Sequence, residues 1–252
     1  MLIKGGNRNS AFPSTKGTLI SLLVVTYNSE RDLRACIQSI INQRFKNIEL
    51  LIFDGNSTDN TIKILKEYDD YISYWQSEPD DGIYDAMNKA VKYATGQFIY
   101  FLGSDDLLLD GFSEIASQLN EVNTLYYGHC FRENIQTGGA MNSYKLARFN
   151  ICHHAIFYPA LVFKKYSFNT KYVVYADHAL HIQLWGDRSI KRQYLPYAVA
   201  NYGAHGFSTW TRDEAFRKDK LALIKKHLSL YTYIRYLKKL WTESRKNHSD
   251  FF

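Results

Sequence analysis

The chain contains little cysteine and no long apolar run, and each of these shortages excludes a class of protein. It has 252 residues and only three cysteines, Cys36, Cys130 and Cys152, which share no metal-ligand spacing. An odd number of cysteines argues against a disulfide framework and fits the reducing cytosol. No apolar stretch approaches the ~20 residues that cross a bilayer. Residues 1–17 lack the apolar core of a signal peptide, and we expect them to be a flexible leader.

Positive charge is in excess. The chain has 31 Lys and Arg against 25 Asp and Glu, and its isoelectric point is about 9.0. An anionic partner is therefore expected, and nucleic acid, an anionic membrane surface and a phosphorylated substrate all fit. No nucleic-acid-binding module is visible and the basic residues gather at the C-terminus, so we do not expect nucleic acid as a partner.

The stretch around which the chain is organised is residues 96–110, GQFIYFLGSDDLLLD. Its apolar run at 97–102 is typical of a strand buried on both faces, and Asp105 and Asp106 follow that strand almost at once. Adjacent carboxylates repel each other unless a cation lies near them, and their oxygens suit Mg²⁺ or Mn²⁺. The alternative is a polar turn in which one aspartate caps the next helix.

Strands and helices alternate through the first half of the chain. This alternation indicates an α/β domain with a largely parallel sheet and right-handed crossovers. Ligands bind beyond the carboxyl ends of the strands in such sheets, so the polar loops at 26–28, 54–59 and 104–106 should meet at one rim. The predicted strands cover 18–25, 48–53, 72–75 and 97–102. The first predicted helix follows Ser29, which can cap it, and the others begin near 61, 83 and 111.

The apolar faces of two helices in this half can be read directly from the residue spacing. The first helix should bury Leu33, Cys36, Ile37, Ile40 and Ile41. In the third helix, the residues predicted to face the core are Ile83, Ala86, Met87, Ala90, Val91 and Ala94. The second half is less regular: we predict strands at 125–127 and 194–202, a loop at 136–143, a helix at 175–185, and helical structure from Asp213.

Five short motifs occur in an order that resembles a known enzyme family. They are VVTYNSE at 24–30, DGNSTDNT at 54–61, EPDDGIYDAMNKAVKYATGQFIYFLGSDD at 78–106, HHAIFY at 153–158 and YADHAL at 175–180. Each is weak alone, but five in the right order are specific. The chain resembles family 2 glycosyltransferases of the bacterial surface-polysaccharide type, which make O-antigen, capsule or exopolysaccharide. The resemblance implies a GT-A fold, a Rossmann-like α/β domain with a mostly parallel central sheet over 18–210, and C-terminal helices over 211–252.

The same resemblance implies that a nucleotide-sugar donor, commonly with UDP, binds at the first two loops. Thr26, Tyr27 and Asn28 match the loop after the first strand, and Tyr27 is suited to stacking near the base. Asp54 matches the acid that hydrogen-bonds the base. DGNSTD is also a strong turn sequence, and the two roles can hold together.

Two further groups are implied to bind the donor. Asp85 and Asn88 would lie on one helical face beside the nucleotide, the alternative being a solvated face. Ser104 and Asp105 belong to the metal motif, in which the first position is Ser where many relatives have Asp. Asp105 would contact the ribose, or the ion indirectly.

The resemblance also implies a divalent cation and a catalytic base. Asp106 would bind Mn²⁺ or Mg²⁺, which stabilises the diphosphate as a leaving group. His205 would contact the metal or phosphate, although a lone histidine is often structural. Asp177 would take the proton of the acceptor hydroxyl with inversion of configuration, or it is only a charge favoured at a helix N-terminus. His153 and His154 would line the acceptor side, with a core role as the alternative for one of them.

The sequence thus favours a metal-dependent, inverting transfer of a sugar to a saccharide or lipid-linked saccharide in the cytoplasm. A dinucleotide-dependent oxidoreductase would need a Gly-rich turn after the first strand, and VVTYNSE has none. A non-catalytic sugar-nucleotide-binding protein is the remaining alternative. The presence of both Asp106 and Asp177 argues against it.

The C-terminal segment combines basic and apolar residues at helical spacing. Such a helix is typical of an anionic membrane interface, and it would hold the enzyme peripherally on the inner face of the cytoplasmic membrane. Alternatively the stripe packs on the catalytic domain or on a second subunit, which would make a homo-oligomer. The predicted stripe consists of Leu230, Tyr233, Ile234, Leu237, Leu240 and Trp241.

Overall fold

The computed structural model of the protein describes residues 2–7, 17–132, 135–203 and 211–246, with side chains as far as Glu243. Within these residues one mixed sheet of ten strands is flanked by helices. In chain order the strands are β1 (Ile3–Gly5), β2 (Ile20–Thr26), β3 (Ile48–Asp54), β4 (Tyr74–Ser77), β5 (Phe98–Gly103), β6 (Leu107–Leu108), β7 (Thr124–Arg132), β8 (Ile135–Gly138), β9 (Ile156–Pro159) and β10 (Lys191–Tyr202).

The helices follow the predicted alternation in the first half of the chain. They are α1 (Leu33–Ile41), α2 (Thr61–Glu67), α3 (Ile83–Val91), α4 (Gly111–Ala116), α5 (Ser143–Arg148), α6 (Ala176–Gly186), α7 (Glu214–His227) and α8 (Leu230–Lys246). Short 3-10 helices cover Asp69–Tyr71, His153–Ala155 and Ala160–Lys164. None of the helices in the described part of the chain is both long and apolar enough to cross a membrane.

Four neighbouring strands of the first half are parallel, as the sequence predicts. Strand β1 lies within the residues expected to be a flexible leader, yet it pairs antiparallel with β4 at the edge of the sheet. Strands β4, β3, β2 and β5 are neighbours in that order and run in the same direction. Every residue of β2 is buried, because this central strand is covered on both faces. The register pairs Thr26 with Asp54, and Val25 with Gly103, so the loops after three strands leave the sheet side by side.

The second half of the sheet is mixed, and one prediction there is wrong. β9 lies antiparallel between β5 and β7, while β10 runs parallel to β7. Residues 136–143 are not simply a loop, because β8 ends at Gly138 and α5 begins at Ser143. β8 is short and largely exposed, so it carries no apolar alternation that would reveal it.

One residue of the third helix faces away from the predicted side. Ile83 is exposed, and Tyr84 is buried in its place among the core residues. The Tyr84 hydroxyl donates a hydrogen bond to the carbonyl oxygen of Val174, 2.6 Å away. The apolar spacing therefore predicted the helix correctly but misassigned its first residue, because an aromatic ring with a hydrogen-bonded hydroxyl is also a core side chain.

The two C-terminal helices are attached to the α/β unit. The Asp213 carboxylate accepts hydrogen bonds from the backbone nitrogens of Val174, Tyr175 and Phe216, and so it caps α7 and ties it to the segment before α6. Helix α8 packs on α5 and on α7. Its packed face buries Thr232 and Tyr236, neither of which belongs to the predicted stripe.

Candidate active site

The loops after β2 and β3 are joined by a reciprocal set of hydrogen bonds at the carboxyl edge of the sheet. The Asn28 backbone nitrogen donates to Ser57 Oγ (2.7 Å), and Asn28 Oδ1 accepts from the backbone nitrogen of Thr58 (2.9 Å). Ser29 Oγ lies 2.7 Å from Ser104 Oγ, which brings the loop after β5 to the same place. The predicted rim therefore exists, with Asn28 at a positive φ of 49°.

Asp54 is held inside this rim. Its carboxylate accepts hydrogen bonds from the Ser57 backbone nitrogen (2.9 Å), from Ser77 Oγ (2.5 Å) and from Ser57 Oγ. Only 2% of the residue is exposed. The turn role that the sequence offered for Asp54 is present, and the contact with a base stays a prediction.

Thr26 and Tyr27 differ sharply in exposure. Thr26 Oγ1 is buried without a hydrogen-bond partner among the described residues, whereas Tyr27 is 64% exposed. A Cβ on Gly55 would lie 2.7 Å from Asp80 Oδ2 and 3.4 Å from the Tyr27 ring, so a larger residue there would force the Asp80 carboxylate to move. Burial raises the pKa of Asp80. Sequence reasoning missed Asp80, although the EPDDG segment that contains it was part of a motif.

The two predicted residues of α3 make contacts within the protein. Asp85 Oδ2 lies 2.9 Å from Lys89 Nζ and accepts from the Asp81 backbone nitrogen. Asn88 donates to the Phe168 carbonyl oxygen (2.8 Å) and accepts from the Phe168 backbone nitrogen (3.0 Å). Both ends of the Asn88 amide therefore hold the segment at Phe168, and its contact with a nucleotide stays a prediction.

Asp106 turns back toward the strand that precedes it. Its Oδ2 accepts from the Gly103 backbone nitrogen (3.0 Å), and a Cβ at Gly103 would come within 2.6 Å of that oxygen. Burial would raise the pKa of Asp106, but the facing His154 outweighs burial and lowers it. Asp105 is exposed, yet partial desolvation and the charge of Asp106 raise its pKa. The two aspartates are therefore unequal, and only Asp106 faces inward.

Among the described residues, His154 is the histidine that the structure brings to Asp106. Its Nδ1 lies 3.1 Å from Asp106 Oδ2, but the two groups are not aligned for a hydrogen bond, and this buried nitrogen has no hydrogen-bond partner among the described residues. An unsatisfied imidazole nitrogen beside a carboxylate oxygen is a donor pair that a divalent cation could use. The prediction for His205 falls on residues that the structure does not describe.

The pair alone is an incomplete cation site. Within 2–7, 17–132, 135–203 and 211–246, no group of three or more His, Cys, Asp or Glu side chains is arranged to hold a metal ion. Mg²⁺ and Mn²⁺ commonly complete their coordination with water and substrate phosphates. Asp106 and His154 therefore fit a cation that is bound together with a phosphorylated ligand.

Asp177 lies in the first turn of α6 and contacts the other histidine. Its Oδ2 is 3.3 Å from His153 Nδ1, and its Oδ1 accepts from the His178 backbone nitrogen at 2.6 Å. Burial would raise the pKa of Asp177, but the neighbouring histidines lower it to about 2. Burial and the adjacent His154 lower the pKa of His153. An ionised Asp177 can only accept, so Nδ1 of His153 is the donor in this contact.

The two histidines connect the predicted metal ligand to the predicted base. Their ring centroids are 4.0 Å apart, with His154 facing Asp106 and His153 facing Asp177. Their side chains are 12% and 14% exposed, so both lie at the border of the core, and their place on the acceptor side stays a prediction. The sequence did not predict that the two histidines would contact different aspartates, because both were expected to line the acceptor side of the pocket.

More than half of the chain matches a known protein family. A model of glycosyl transferase family 2 matches residues 21–195, well over half of the chain. The chain belongs to glycosyltransferase family 2. Its curated relatives include a PGL/p-HBAD biosynthesis glycosyltransferase of Mycobacterium bovis, 33% identical over 212 residues, which are 79% of this chain and 83% of that protein.

A second relative of this glycosyltransferase has a name that states its donor and acceptor. It is the UDP-Glc:α-D-GlcNAc-diphosphoundecaprenol β-1,3-glucosyltransferase WfgD of Escherichia coli, 37% identical over 112 residues, which are 43% of this chain and 44% of WfgD. The match covers less than half of either protein. What WfgD binds therefore supports a proposal for this chain, and no more.

Solved structures of similar fold are GT-A glycosyltransferases. Residues 1–349 of TarS from S. aureus in complex with UDP-GlcNAc give a TM-score of 0.64 at 20% identity, over 82% of this chain and 65% of that one. The mannosyltransferase PcManGT of Pyrobaculum calidifontis, in complex with GDP-Man and Mn²⁺, gives a TM-score of 0.61 at 15% identity. The match covers 93% of this chain and 78% of that one. The chain spans 39% of the longer TarS structure. At these identities the likeness establishes the fold.

Proposed function

We propose that this family 2 glycosyltransferase moves a sugar from a nucleotide diphosphate to a saccharide hydroxyl, with inversion at the anomeric carbon. The observation that carries the proposal is the arrangement of Asp106 and Asp177. Each lies against one of two adjacent histidines whose tilted rings are in contact, so the proposed metal ligand and the proposed base belong to one connected site. We take the catalytic domain to be 18–210 and the C-terminal segment to be 211–252.

The proposed donor is a UDP-sugar held at the joined loops after β2 and β3. Thr26 has a buried hydroxyl without a partner among the described residues, and Tyr27 presents an exposed ring that could stack on a base. Asp54 keeps the turn that shapes this edge and is the candidate for the base contact. WfgD and the TarS complex, whose names contain UDP-sugars, support this choice of donor.

Asp106 and His154 would hold a divalent cation, Mn²⁺ or Mg²⁺, together with the diphosphate of the donor. A cation there would neutralise the negative charge that develops on the leaving diphosphate. Asp105 projects outward from the same turn, where it can contact the ribose. The PcManGT complex with Mn²⁺ supports a cation in this fold.

Asp177 is the proposed base. The acceptor hydroxyl oxygen bonds to the anomeric carbon, the bond from that carbon to the diphosphate oxygen breaks, and the hydroxyl proton passes to the Asp177 carboxylate. Its low pKa keeps Asp177 ionised and ready to accept a proton. The negative charge of a bound donor at the same rim would raise this pKa toward a more effective value.

We propose a lipid-linked saccharide as the acceptor, in the synthesis of a bacterial surface polysaccharide. The name of WfgD, with a sugar on diphosphoundecaprenol, supports this class of acceptor. The Nε2 atom of His153 is buried without a partner among the described residues and could accept a hydrogen bond from an acceptor hydroxyl. We propose that the enzyme uses such an acceptor in the cytoplasm, at the inner face of the membrane.

The test measures the release of nucleotide diphosphate by the full chain with UDP-glucose, UDP-GlcNAc and GDP-mannose. Each donor is supplied with and without Mn²⁺ and with and without GlcNAc linked to a short polyprenyl diphosphate. We expect release that depends on the acceptor, and a product whose NMR couplings show a β linkage from an α-linked donor. Donor binding without release on any acceptor would instead favour the non-catalytic alternative, and a retained α linkage would exclude inversion.

A further inference from the structure

Helix α8 has an apolar stripe on the face opposite to the one that packs on the protein. Leu230, Ile234, Leu237 and Trp241 recur at the spacing of one helical side, and they are 70, 55, 36 and 54% exposed. We call these four residues the α8 stripe. The other side of the helix buries Thr232 and Tyr236. Two residues of the stripe predicted from sequence, Tyr233 and Leu240, are partly buried against the core instead.

The positive charge of the whole chain is concentrated in the C-terminal segment that carries this stripe. Residues 211–246 contain eleven Lys and Arg against four Asp and Glu, while the rest of the chain has twenty against twenty-one. Lys238 is exposed on one side of the stripe. On the other side, Lys225 from α7 lies over the ring of Tyr233. A row of apolar side chains with lysines on both borders therefore faces solvent.

We propose that the α8 stripe docks on an anionic lipid bilayer, with its apolar side chains in the interface and the lysines on the headgroups. Basic amphipathic helices with a Trp bind such interfaces in the plane of the membrane. The charge selects this occupant over a second copy of the chain, because two such surfaces would repel each other. One row of side chains along a single helix is also narrow compared with the ~800 Å² per partner of a stable protein interface.

The orientation of α8 gives this docking a consequence for the candidate site. Arg235 of α8 lies over the ring of Tyr144 in α5, with its guanidinium carbon 3.9 Å from the ring centroid. Helix α5 ends at Arg148, five residues before His153. Docking through α8 would thus hold the segment that leads to the histidines near the membrane. This consequence for the candidate site rests on the proposed lipid-linked acceptor. The docking of α8 on a membrane does not depend on that acceptor.

The test is co-sedimentation of the full chain with vesicles of phosphatidylcholine alone and with added phosphatidylglycerol. The stripe variant is Leu230→Ser with Ile234→Ser. The control variant, Val122→Ser with Tyr71→Ser, removes two side chains of similar exposure elsewhere on the surface. A charge variant, Lys225→Gln with Lys238→Gln, tests the borders of the stripe.

We expect the wild type and the control to pellet with anionic vesicles, and the stripe variant to partition at least ~10-fold less. The charge variant should lose the preference for anionic lipid, and binding of the wild type should fall as salt rises. Equal binding of the stripe and control variants, or no preference for anionic lipid, would overturn the proposal. So would a dimer in light scattering that the stripe variant abolishes.

The two proposals can fail separately. Vesicle binding is measured without donor or acceptor, so its failure leaves the transfer reaction untouched. Release of nucleotide diphosphate on a short, soluble acceptor analogue does not need the membrane, and the stripe variant should keep that activity.

Discussion

His153 Nδ1 lies 3.3 Å from Asp177 Oδ2, and this contact fixes the state of both residues. A carboxylate that is ionised can only accept a hydrogen bond, so Nδ1 of His153 must carry the proton. In the neutral form of the ring, the Nε2 atom then keeps its lone pair. The carboxylate in turn is held in one rotamer by His153 and by the His178 backbone nitrogen. The proposed base is therefore preorganised before any substrate binds.

Replacing the base should affect turnover and not donor binding. Asp177→Asn should lower kcat by at least ~100-fold, the usual scale for loss of a general base. The affinity for UDP should change little, because Asp177 is assigned to the acceptor side. Steady-state kinetics and calorimetry with UDP measure the two effects. A collapse of donor affinity with unchanged turnover at saturation would show that the role is misassigned.

His153 should act through Asp177 as a positioning residue. His153→Ala should lower kcat by roughly 10-fold or more with little change in the donor KM, since positioned proton acceptors typically contribute 10²–10⁴-fold. His153→Asn places an amide N–H near the position of Nδ1 and should restore part of the loss. Equal activity of the Ala and Asn variants would mean that the hydrogen bond to Asp177 is not what matters.

The cation prediction is tested at Asp106. Asp106→Asn should lose most activity while the protein stays folded, because a neutral amide is a poorer ligand for a hard cation. Chelator should inactivate the wild type, and added Mn²⁺ or Mg²⁺ should restore it. His154→Ala should raise the Mn²⁺ concentration needed for half-maximal activity. Full activity in excess chelator would end the metal-dependent interpretation.

Asp54 can be separated into its turn role and its base-contact role. Asp54→Ala should weaken UDP binding by roughly 1–3 kcal/mol, the cost of an unmatched polar group at a buried contact. Ser77→Ala is the matched control, because it removes one hydrogen bond to Asp54 from the neighbouring strand and nothing from the donor. If a folded Asp54→Ala variant bound UDP as the wild type does in calorimetry, Asp54 would be a turn residue only.

The sequence predicted the first half of the fold because local patterns there report on local structure. Buried parallel strands read as continuous apolar runs, and the helices between them show the 3.6-residue period of α1 and α3. The loops at Asp54 and Asp106 follow directly from the strand ends. The rim of the candidate site was therefore predictable from the order of strands and helices along the chain.

The histidine contacts were not predictable in this way. Strand β9 enters the sheet antiparallel between β5 and β7, and this long-range pairing leaves no local signal. It brings His154, just before β9, to Asp106, which follows β5. The face of α8 that packs on the protein could not be predicted for the same reason. Periodicity shows that a helix is amphipathic, but not whether its apolar side meets the protein or the solvent.

The last prediction concerns Lys220, which lies at the contact between α7 and α8. Its Nζ is 5.7 Å from the ring centroids of both Phe216 and Tyr236, and burial together with the charge of Lys239 lowers its pKa to about 8. A lysine whose pKa is lowered by folding costs stability wherever it is charged in the folded state, which is below pH 8. This cost is relieved as the pH rises from 8 toward the ordinary value of 10.5.

Lys220→Met should therefore stabilise the protein at pH 7, by about 1–2 kcal/mol after allowance for the lost cation–π contacts. The gain should shrink between pH 8 and pH 10, where the wild-type ammonium is increasingly neutral in the folded state. Urea unfolding of both proteins at pH 7 and pH 10 measures the difference. Lys218→Met, at an exposed position of the same helix, is the control and should change stability little at either pH. A destabilised Lys220→Met variant at pH 7 would mean that the aromatic contacts outweigh the burial of the charge.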